Sequence, residues 1–326
     1  MSTRAQRAAY RTASLIVVTA VCAGCTTGTS RGPPSGPDPA GQHAAVITVG
    51  SFDFPESTVL ADIYGDALKA KGFPVRILPN LGNRELVDPA LMSGLIQVVP
   101  EYAGSALQFI SLGRLSATAD VMATNKALTE LTAGEGVVAG LPAAAQNANA
   151  IVVRPATATR YHLRSIAELA QVAPRLVFGG PPECPGRAYC LPGLRQRYGL
   201  RFKSFIPLDA GGPLTLQALE AGDIDVALLF STDPSISARH LVVLADDRRL
   251  QPAENITPLV SMAVVARYGA GLMAVLNTVS ARLDSASLRA LNAQVENTGR
   301  TPRTPRQVAE RWLHAQGLLG KERTDR

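Results

Sequence analysis

Short apolar runs alternate along this chain with longer segments in which apolar residues recur every three or four positions. Residues 45–50 are almost entirely apolar, which is typical of a buried strand. In residues 56–71 the apolar positions form one stripe of an amphipathic helix, and Gly72 follows where that helix is expected to end. The alternation continues with predicted strands at 75–78, 96–99, 149–153, 176–178, 202–206, 224–230 and 259–266 and predicted helices at 84–93, 117–133, 192–198 and 215–221. Strands that alternate with helices predict an α/β layer architecture.

The C-terminal part of the chain is predicted to be helical. Apolar periodicity indicates three helices, at 271–283, 285–297 and 305–316. Thr304 and Gln307 have the spacing of a capping box at the start of the last helix. We expect these helices to pack as a tail against the first α/β unit.

Two α/β units followed by a helical tail predict a two-lobed fold. We expect the chain to cross between the lobes near 146–150 and to return near 256–259. The first lobe is then discontinuous, with residues 44–146 and 259–326, and the second lobe spans 147–258. Two crossings make a two-strand hinge, and the cleft between the lobes is the default ligand site.

The first residues are typical of a processing signal rather than of a folded body. Three arginines precede an apolar run at 13–21 that is too short to span a bilayer as a mature helix. Small residues and Cys25 follow it, as in a bacterial lipobox, so we predict a signal peptide over 1–24 and lipidation of Cys25. The alternative is an ordinary secretory signal with a chance cysteine. Residues 25–43, rich in Gly, Pro, Ser and Thr, predict a flexible tether between the lipid anchor and the body.

Cysteine usage is consistent with export. Once the signal is removed and Cys25 is lipidated, Cys184 and Cys190 remain as one pair. Two cysteines six positions apart can close a small loop, and an oxidising compartment favours a disulfide. A metal site is the weaker alternative, because the spacing is not that of a CxxC pair and no histidine lies close in sequence.

Charge and composition exclude several classes of function. The formal charge of the whole chain is +6, but three of its arginines belong to the predicted signal, and no basic run is interleaved with aromatic residues. We therefore expect no nucleic-acid partner. The four histidines are scattered, so neither a metal site nor a cofactor is predicted.

Several segments resemble the osmoprotectant-binding components of ABC importers, the family that binds glycine betaine, carnitine and choline. They are Ile47–Glu56, Asn80–Glu85, Pro100–Leu107, Leu219–Ala227 and Phe230–Asp233. The resemblance implies a type II periplasmic-binding-protein-like fold that delivers a small solute to permease subunits. With the predicted lipid anchor on Cys25, we expect the protein at the extracytoplasmic face of the membrane, as a monomer that performs no chemistry on its ligand.

The resemblance further implies that tyrosines from both lobes surround a quaternary ammonium group, which cannot donate hydrogen bonds and is recognised by aromatic faces. Tyr102 corresponds to one such tyrosine, and Phe230 retains a ring at another position. Asn149 and Leu216 stand where aromatic residues are usual, and Phe52 stands where lysine is common. The candidate ligand residues are Tyr102, Phe230, Phe52, Asn149, Asp53, Glu85, Arg84, Thr232 and Asp233.

Each candidate also has a structural interpretation. Tyr102 is expected on a turn after a strand. Phe52 and Phe54 alternate around Asp53, so if they lie in a strand one of them faces the core. Arg84 either pins a ligand carboxylate or pairs with Glu85. Leu216 is expected in the core of a helix.

Three alternative functions remain open from the sequence. The incomplete set of tyrosines also suits a larger, flatter or hydroxylated solute. A second possibility is a lipoprotein that acts as a sensor or scaffold. An enzyme has no support, because the Gly-rich segment 134–139 follows no clear strand and no nucleophile motif is present.

Overall fold

The strands form two five-stranded sheets in the computed structural model, which describes residues 46–295 and 303–319. The first sheet has the order β2 (Val75–Leu78), β1 (Ile47–Gly50), β3 (Val98–Tyr102), β10 (Ile256–Ser261) and β4 (Val137–Ala139). The second has the order β7 (Ser204–Pro207), β6 (Val177–Gly180), β8 (Val226–Phe230), β5 (Asn149–Val153) and β9 (Val242–Val243). Each sheet mixes parallel and antiparallel neighbours, and each carries its own buried apolar core.

Helices cover the faces of both sheets. They are α1 (Pro55–Ala70), α2 (Arg84–Met92), α3 (Ala103–Ile110), α4 (Val121–Ala133), α5 (Pro155–Tyr161), α6 (Leu191–Tyr198), α7 (Pro213–Ala221), α8 (Pro234–Ala238), α9 (Met262–Tyr268), α10 (Ala270–Ser280), α11 (Ser285–Val295) and α12 (Pro305–Ala315). Within the described part of the chain no single helix has the length and apolar character needed to cross a membrane. Helices α9 and α10 reach that length and apolar character only as a pair, and the pair is bent by 112°.

The first sheet is assembled from both ends of the body. Strand β10 follows the whole second sheet in the chain, yet it returns to the first sheet and pairs antiparallel with β3, placing Ile256 opposite Tyr102. The protein therefore has the predicted α/β, two-lobed fold with a discontinuous first lobe. Strand β10 begins at Ile256, so residues 256–258 pair within the first sheet, although the predicted division assigns them to the second lobe.

The two chain crossings between the lobes run side by side. The Asn147 N–H donates to the Glu254 carbonyl at 3.0 Å, and the Ile256 N–H donates to the Ala145 carbonyl at 3.0 Å. Gln146 and Asn255 form an antiparallel bridge between these bonds. This is the two-strand hinge, and residues next to it move least when lobes rotate about it.

Two predicted elements differ from the structure. The apolar run 259–266 was expected to be one strand, but β10 ends at Ser261 and α9 begins at Met262. Short apolar runs do not distinguish strand from helix by periodicity alone. The helix predicted over 117–133 begins only at Val121, where the Asp120 side chain accepts a hydrogen bond from the Ala123 N–H and caps the helix.

The C-terminal helix α12 closes the first lobe against α1. The predicted capping box is present, with Thr304 accepting from the Gln307 N–H and the Gln307 side chain accepting from the Thr304 N–H. Its apolar face buries Val308, Ala309, Trp312 and Leu313.

Some of the predicted features lie outside the described residues. They are the signal peptide 1–24, the lipidation site Cys25, the tether 25–43 and Asn297, the last residue of the helix predicted over 285–297.

We predict that Leu313→Ala destabilises the protein by about 2–5 kcal/mol, because Leu313 is fully buried and its removal leaves a cavity. Chemical denaturation measures the change in the free energy of unfolding. The matched control is Leu95→Ala, since Leu95 is 73% exposed and its truncation should change stability by less than about 0.5 kcal/mol. Equal effects of the two substitutions would contradict this packing of α12.

Candidate ligand-binding site

A cavity of about 110 Å³ lies between the two lobes, beside the hinge. The first lobe contributes the segment after β1, the start of α2 and the end of β3. The second lobe contributes the segment 181–190 and the end of β8. The side chains that the following paragraphs use are Phe52, Asp53, Phe54, Arg84, Tyr102, Ser105, Asn149, Glu183, Arg187, Tyr189, Phe230 and Glu254.

Four aromatic rings form one continuous cluster on the cavity wall. The Phe54 centroid lies 5.9 Å from Phe52, 5.9 Å from Tyr102 and 5.4 Å from Phe230. Phe230 comes from the second lobe and the other three from the first, so the cluster joins the lobes. Such offset and tilted pairs are the favoured geometries of aromatic rings.

Phe52 and Phe54 do not lie in a strand, which was the condition under which one of them was expected to face the core. Strand β1 ends at Gly50, so the two-residue alternation does not extend to these positions. Instead the two rings are parallel within 1° and lie on the same side. Phe52 is buried, with the Arg84 guanidinium 5.2 Å from its centroid, while Phe54 keeps a partly open face.

Tyr102 is the last residue of β3 and lies in the cavity wall rather than on an exposed turn. Only 5% of the residue is exposed, and its hydroxyl donates to the Glu56 carboxylate at 2.7 Å. Burial, together with the neighbouring charge of Glu56, raises the pKa of Tyr102 well above its usual value. The phenol therefore stays neutral and serves as a fixed donor.

Glu56, at the start of α1, accepts hydrogen bonds from four side chains. Besides Tyr102, its donors are Asn147 at 2.7 Å, Thr232 at 2.6 Å and Asn292 at 2.5 Å. Burial raises the pKa of Glu56, and the four hydrogen bonds oppose that shift. Thr232 is thus committed to Glu56 and lies outside the main cavity.

Arg84 pairs with Glu101 and not with Glu85. Its Nε and Nη2 donate to the two carboxylate oxygens of Glu101 at 2.7 and 2.9 Å. Burial opposes the charge on Arg84, but attraction to Glu101 outweighs it and raises the pKa of the guanidinium. Such bidentate pairs hold the guanidinium in a fixed orientation.

The loop closed by the disulfide contacts the opposite lobe. Cys184 and Cys190 are bonded, with their Cα atoms 5.3 Å apart. Between them, Arg187 donates to Glu85 of the first lobe at 2.7 Å. Its guanidinium also lies 5.4 Å from the ring centroid of Phe109, another first-lobe residue.

Tyr189, in the same loop, adds a further contact between the lobes. Its hydroxyl accepts a hydrogen bond from the Ala117 N–H at 3.2 Å. Its carbonyl accepts from Asn149 at 3.1 Å and from Gln251 at 3.0 Å. The loop from Cys184 to Cys190 therefore acts as a clasp across the cleft.

Some of the remaining candidates line the cavity, and others lie elsewhere in the structure. Asn149 and Asp53 line it, although Asp53 is exposed. Glu85 lies outside it, since its carboxylate is engaged by Arg187. Asp233 caps α8 by accepting from the Ser235 N–H at 2.7 Å and also lies away from the main cavity. Leu216 lies on the buried side of α7, where it was expected as a structural residue.

Several cavity residues were not among the sequence candidates, and Phe54, Arg187, Tyr189 and Glu254 are those that matter most for the site. Phe54 was visible as an aromatic residue within the family-like segment Ile47–Glu56. Arg187 and Tyr189 were visible only as polar and aromatic residues inside the cysteine loop. Glu254 lies in the second crossing, and no sequence signal distinguished it from a surface acid.

The described residues contain no group of three His, Cys, Asp or Glu side chains arranged to hold a metal ion. What the arrangement offers is a small cavity with aromatic and charged walls between two lobes on a two-strand hinge. Those features define a two-lobed solute-binding protein of the type II class.

Comparison with known proteins identifies the family. Residues 45–315 match the family described as the substrate binding domain of ABC-type glycine betaine transport system, and the chain belongs to that family. A glycine-betaine-binding protein of Pseudomonas aeruginosa is 28% identical over 288 residues, covering 85% of this chain and 90% of that protein. The glycine betaine-binding protein YehZ of Escherichia coli is 27% identical over 267 residues, covering 79% and 87%.

A solved structure supports the fold. A structure described as a glycine betaine/carnitine/choline ABC transporter superposes with a TM-score of 0.65 at 21% identity. The match covers 84% of this chain and 100% of that one. Membership of the family makes this chain an extracytoplasmic substrate-binding protein that binds a small solute for an ABC importer, and not an enzyme.

We predict that Arg187→Ala shifts the ligand-free protein towards an open arrangement of the lobes. The substitution removes both the ion pair with Glu85 and the contact with Phe109. Small-angle X-ray scattering should report a larger radius of gyration.

The matched control is Arg306→Ala, which breaks an exposed ion pair with Glu310 on α12 and leaves the cleft intact. Reduction of the disulfide should act like Arg187→Ala, because it releases the ends of the clasp. An unchanged radius of gyration after both treatments would show that the clasp does not hold the lobes.

Proposed function

We propose that this protein captures a small solute carrying a quaternary ammonium group and delivers it to an ABC importer. The observation that supports the proposal is the aromatic cluster of Phe52, Phe54, Tyr102 and Phe230 at the cavity wall. Aromatic faces attract cations that cannot donate hydrogen bonds, with about 0.5–2 kcal/mol for each contact. Phe54 and Phe230 keep partly open faces and are the principal contacts.

The charge of the surroundings supports the same ligand class. Glu56 lies directly behind Tyr102, and its carboxylate has only neutral hydrogen-bond donors around it. Its negative field reaches the cavity through the phenol ring. A methylated ammonium in front of Tyr102 and Phe54 is therefore stabilised by the rings and by the charge behind them.

The lobe division predicted from the sequence fits this mechanism. In the proposal, the predicted lobes of 44–146 with 259–326 and of 147–258 are kept, except that residues 256–258 join the first lobe with the rest of β10. The solute enters between open lobes. Closure then brings Phe230 and the clasp loop against the first lobe and removes the solute from water.

Relatives point to the same ligand class. The proteins of Pseudomonas aeruginosa and Escherichia coli described above are named for glycine betaine binding. Asn149 adds an amide to the cavity where a fully aromatic wall would lack one. The proposed ligands are accordingly glycine betaine, choline and carnitine, with affinities below those of a complete tyrosine cage.

We predict that Phe54→Ala weakens the binding of these solutes by about 2-fold to 30-fold, because it removes the ring at the centre of the cluster. Isothermal titration calorimetry measures the Kd with each solute in turn. The matched control is Phe73→Ala, whose ring packs against Tyr268 away from the cavity and should leave the Kd unchanged. Absence of binding of all three solutes to the unaltered protein at millimolar concentration would overturn the proposed function.

We also propose that the mature chain is a monomer held at the outer face of the cell membrane by lipid on Cys25. The support is the basic and apolar leader over 1–24 and the tether over 25–43. We predict that Cys25→Ala releases the protein from the membrane fraction into the medium or periplasm, and immunoblotting of the fractions measures this. Mass spectrometry of the unaltered protein should find diacylglycerol on Cys25, whereas an unmodified N-terminus at another residue would contradict the anchor.

A further inference from the structure

The two arginines of the cavity already have acidic partners. Arg84 is held by both oxygens of Glu101, and Arg187 donates to Glu85. Burial and the nearby charge of Arg84 lower the pKa of Arg187, and Glu85 opposes this shift. A ligand carboxylate at this end of the cavity therefore competes with carboxylates that the protein itself supplies.

Glu254 is an acid that lines the same cavity, and its situation differs from that of the two arginines because it has no ion-pair partner among the described residues. It belongs to the second crossing, and its carbonyl accepts the hydrogen bond from Asn147 in the first crossing. Its carboxylate accepts from the Ser105 N–H at 3.0 Å and from the Ser105 hydroxyl at 2.6 Å. In the part of the chain that the structure describes, no Lys, Arg or His side chain forms an ion pair with it.

Burial makes this carboxylate costly to ionise. Glu254 is only 3% exposed, and burial raises its pKa to about 7, although the two hydrogen bonds from Ser105 and the charge of Arg84 oppose the shift. Buried charges are normally paired, and two neutral donors do not replace a cation. Because Glu254 lines the cavity, a positive group bound there can approach its carboxylate.

We infer that Glu254 sets the charge selectivity of the cavity, favouring solutes with a net positive charge over zwitterions that carry their own carboxylate. The inference rests on the proposed function, because it concerns which quaternary ammonium solute the same cavity prefers. A choline-type cation brings one positive charge towards Glu254 and the aromatic rings. Glycine betaine brings the same group together with a carboxylate that Glu254 repels.

The charged and titratable groups that face Glu254 come from three elements. Arg84 lies on α2, Glu101 on β3, and the Tyr189 phenol on the clasp loop. Asp53 and Glu183 line the same cavity but are more exposed to solvent. Arg84 and Glu101 pair with one another, so Glu254 is the buried acid among those that line the cavity.

The test compares choline with glycine betaine by titration calorimetry on the full mature chain. In Glu254→Gln the side chain keeps its shape and loses its charge. We expect the affinity for choline to fall by about tenfold or more and the affinity for glycine betaine to change by less than about threefold. The matched control is Glu135→Gln, an exposed acid after α4 that does not line the cavity, which should leave the ratio of the two affinities unchanged.

The pH dependence of the unaltered protein provides a second test that needs no variant. Neither choline nor glycine betaine titrates between pH 5 and pH 8, and no described histidine lines the cavity. Protonation of Glu254 below its pKa of about 7 removes the negative charge. The preference for choline over glycine betaine should therefore fall by about tenfold or more from pH 8 to pH 5, and Glu254→Gln should abolish this change.

The outcomes separate the two proposals. If neither solute binds the unaltered protein, the proposed function fails and the selectivity inference fails with it. If both bind, the proposed function stands. The inference is then overturned by a preference for choline that is independent of pH, by an unchanged ratio in Glu254→Gln, or by an equal shift in Glu135→Gln.

Discussion

The hydrogen bonding of the Glu56 carboxylate is the constraint on which the arrangement of both lobes depends. Its four donors come from four separate parts of the chain: Tyr102 from β3, Asn147 from the first crossing, Thr232 from the end of β8 and Asn292 from α11. A buried carboxylate is tolerated only when such donors satisfy it, and each donor left without an acceptor costs about 1–3 kcal/mol. The start of α1 is thereby fixed to both lobes and to the hinge at once.

This fixed point also determines the ligand wall. The hydroxyl of Tyr102 is held by Glu56, so its ring has one orientation, and Phe54 two residues before Glu56 packs against that ring. Phe230 reaches Phe54 from the second lobe, two residues before Thr232. The aromatic cluster and the hydrogen-bond network of Glu56 therefore consist of neighbouring residues at the same contact between the lobes. A rotation of the lobes that separates Phe230 from Phe54 also strains the hydrogen bond from Thr232 to Glu56.

Local sequence pattern was enough for the fold class and for part of the site, but it failed where tertiary contacts decide. The alternation of strands and helices and the family-like segments led to Tyr102, Phe230 and Phe52. Stacking of Phe54 on Phe52 was not predictable, because both residues follow the end of β1, where the two-residue alternation no longer applies. The partner of Arg84 was missed for a similar reason. Glu85 is adjacent in sequence, but consecutive helical residues point in different directions, and Glu101 on a neighbouring strand meets Arg84 instead.

Glu254 links ligand charge to lobe closure. In an open cleft water hydrates its carboxylate, whereas closure over an empty cavity removes that water and supplies only the two donors of Ser105. A ligand cation offsets this cost only when it enters before closure is complete. Because Glu254 is on the second crossing and its carbonyl is bonded to Asn147 of the first, the charge that the ligand neutralises lies within the hinge itself. The closed state is thus favoured by differential affinity, the only route by which a ligand can shift a conformational equilibrium.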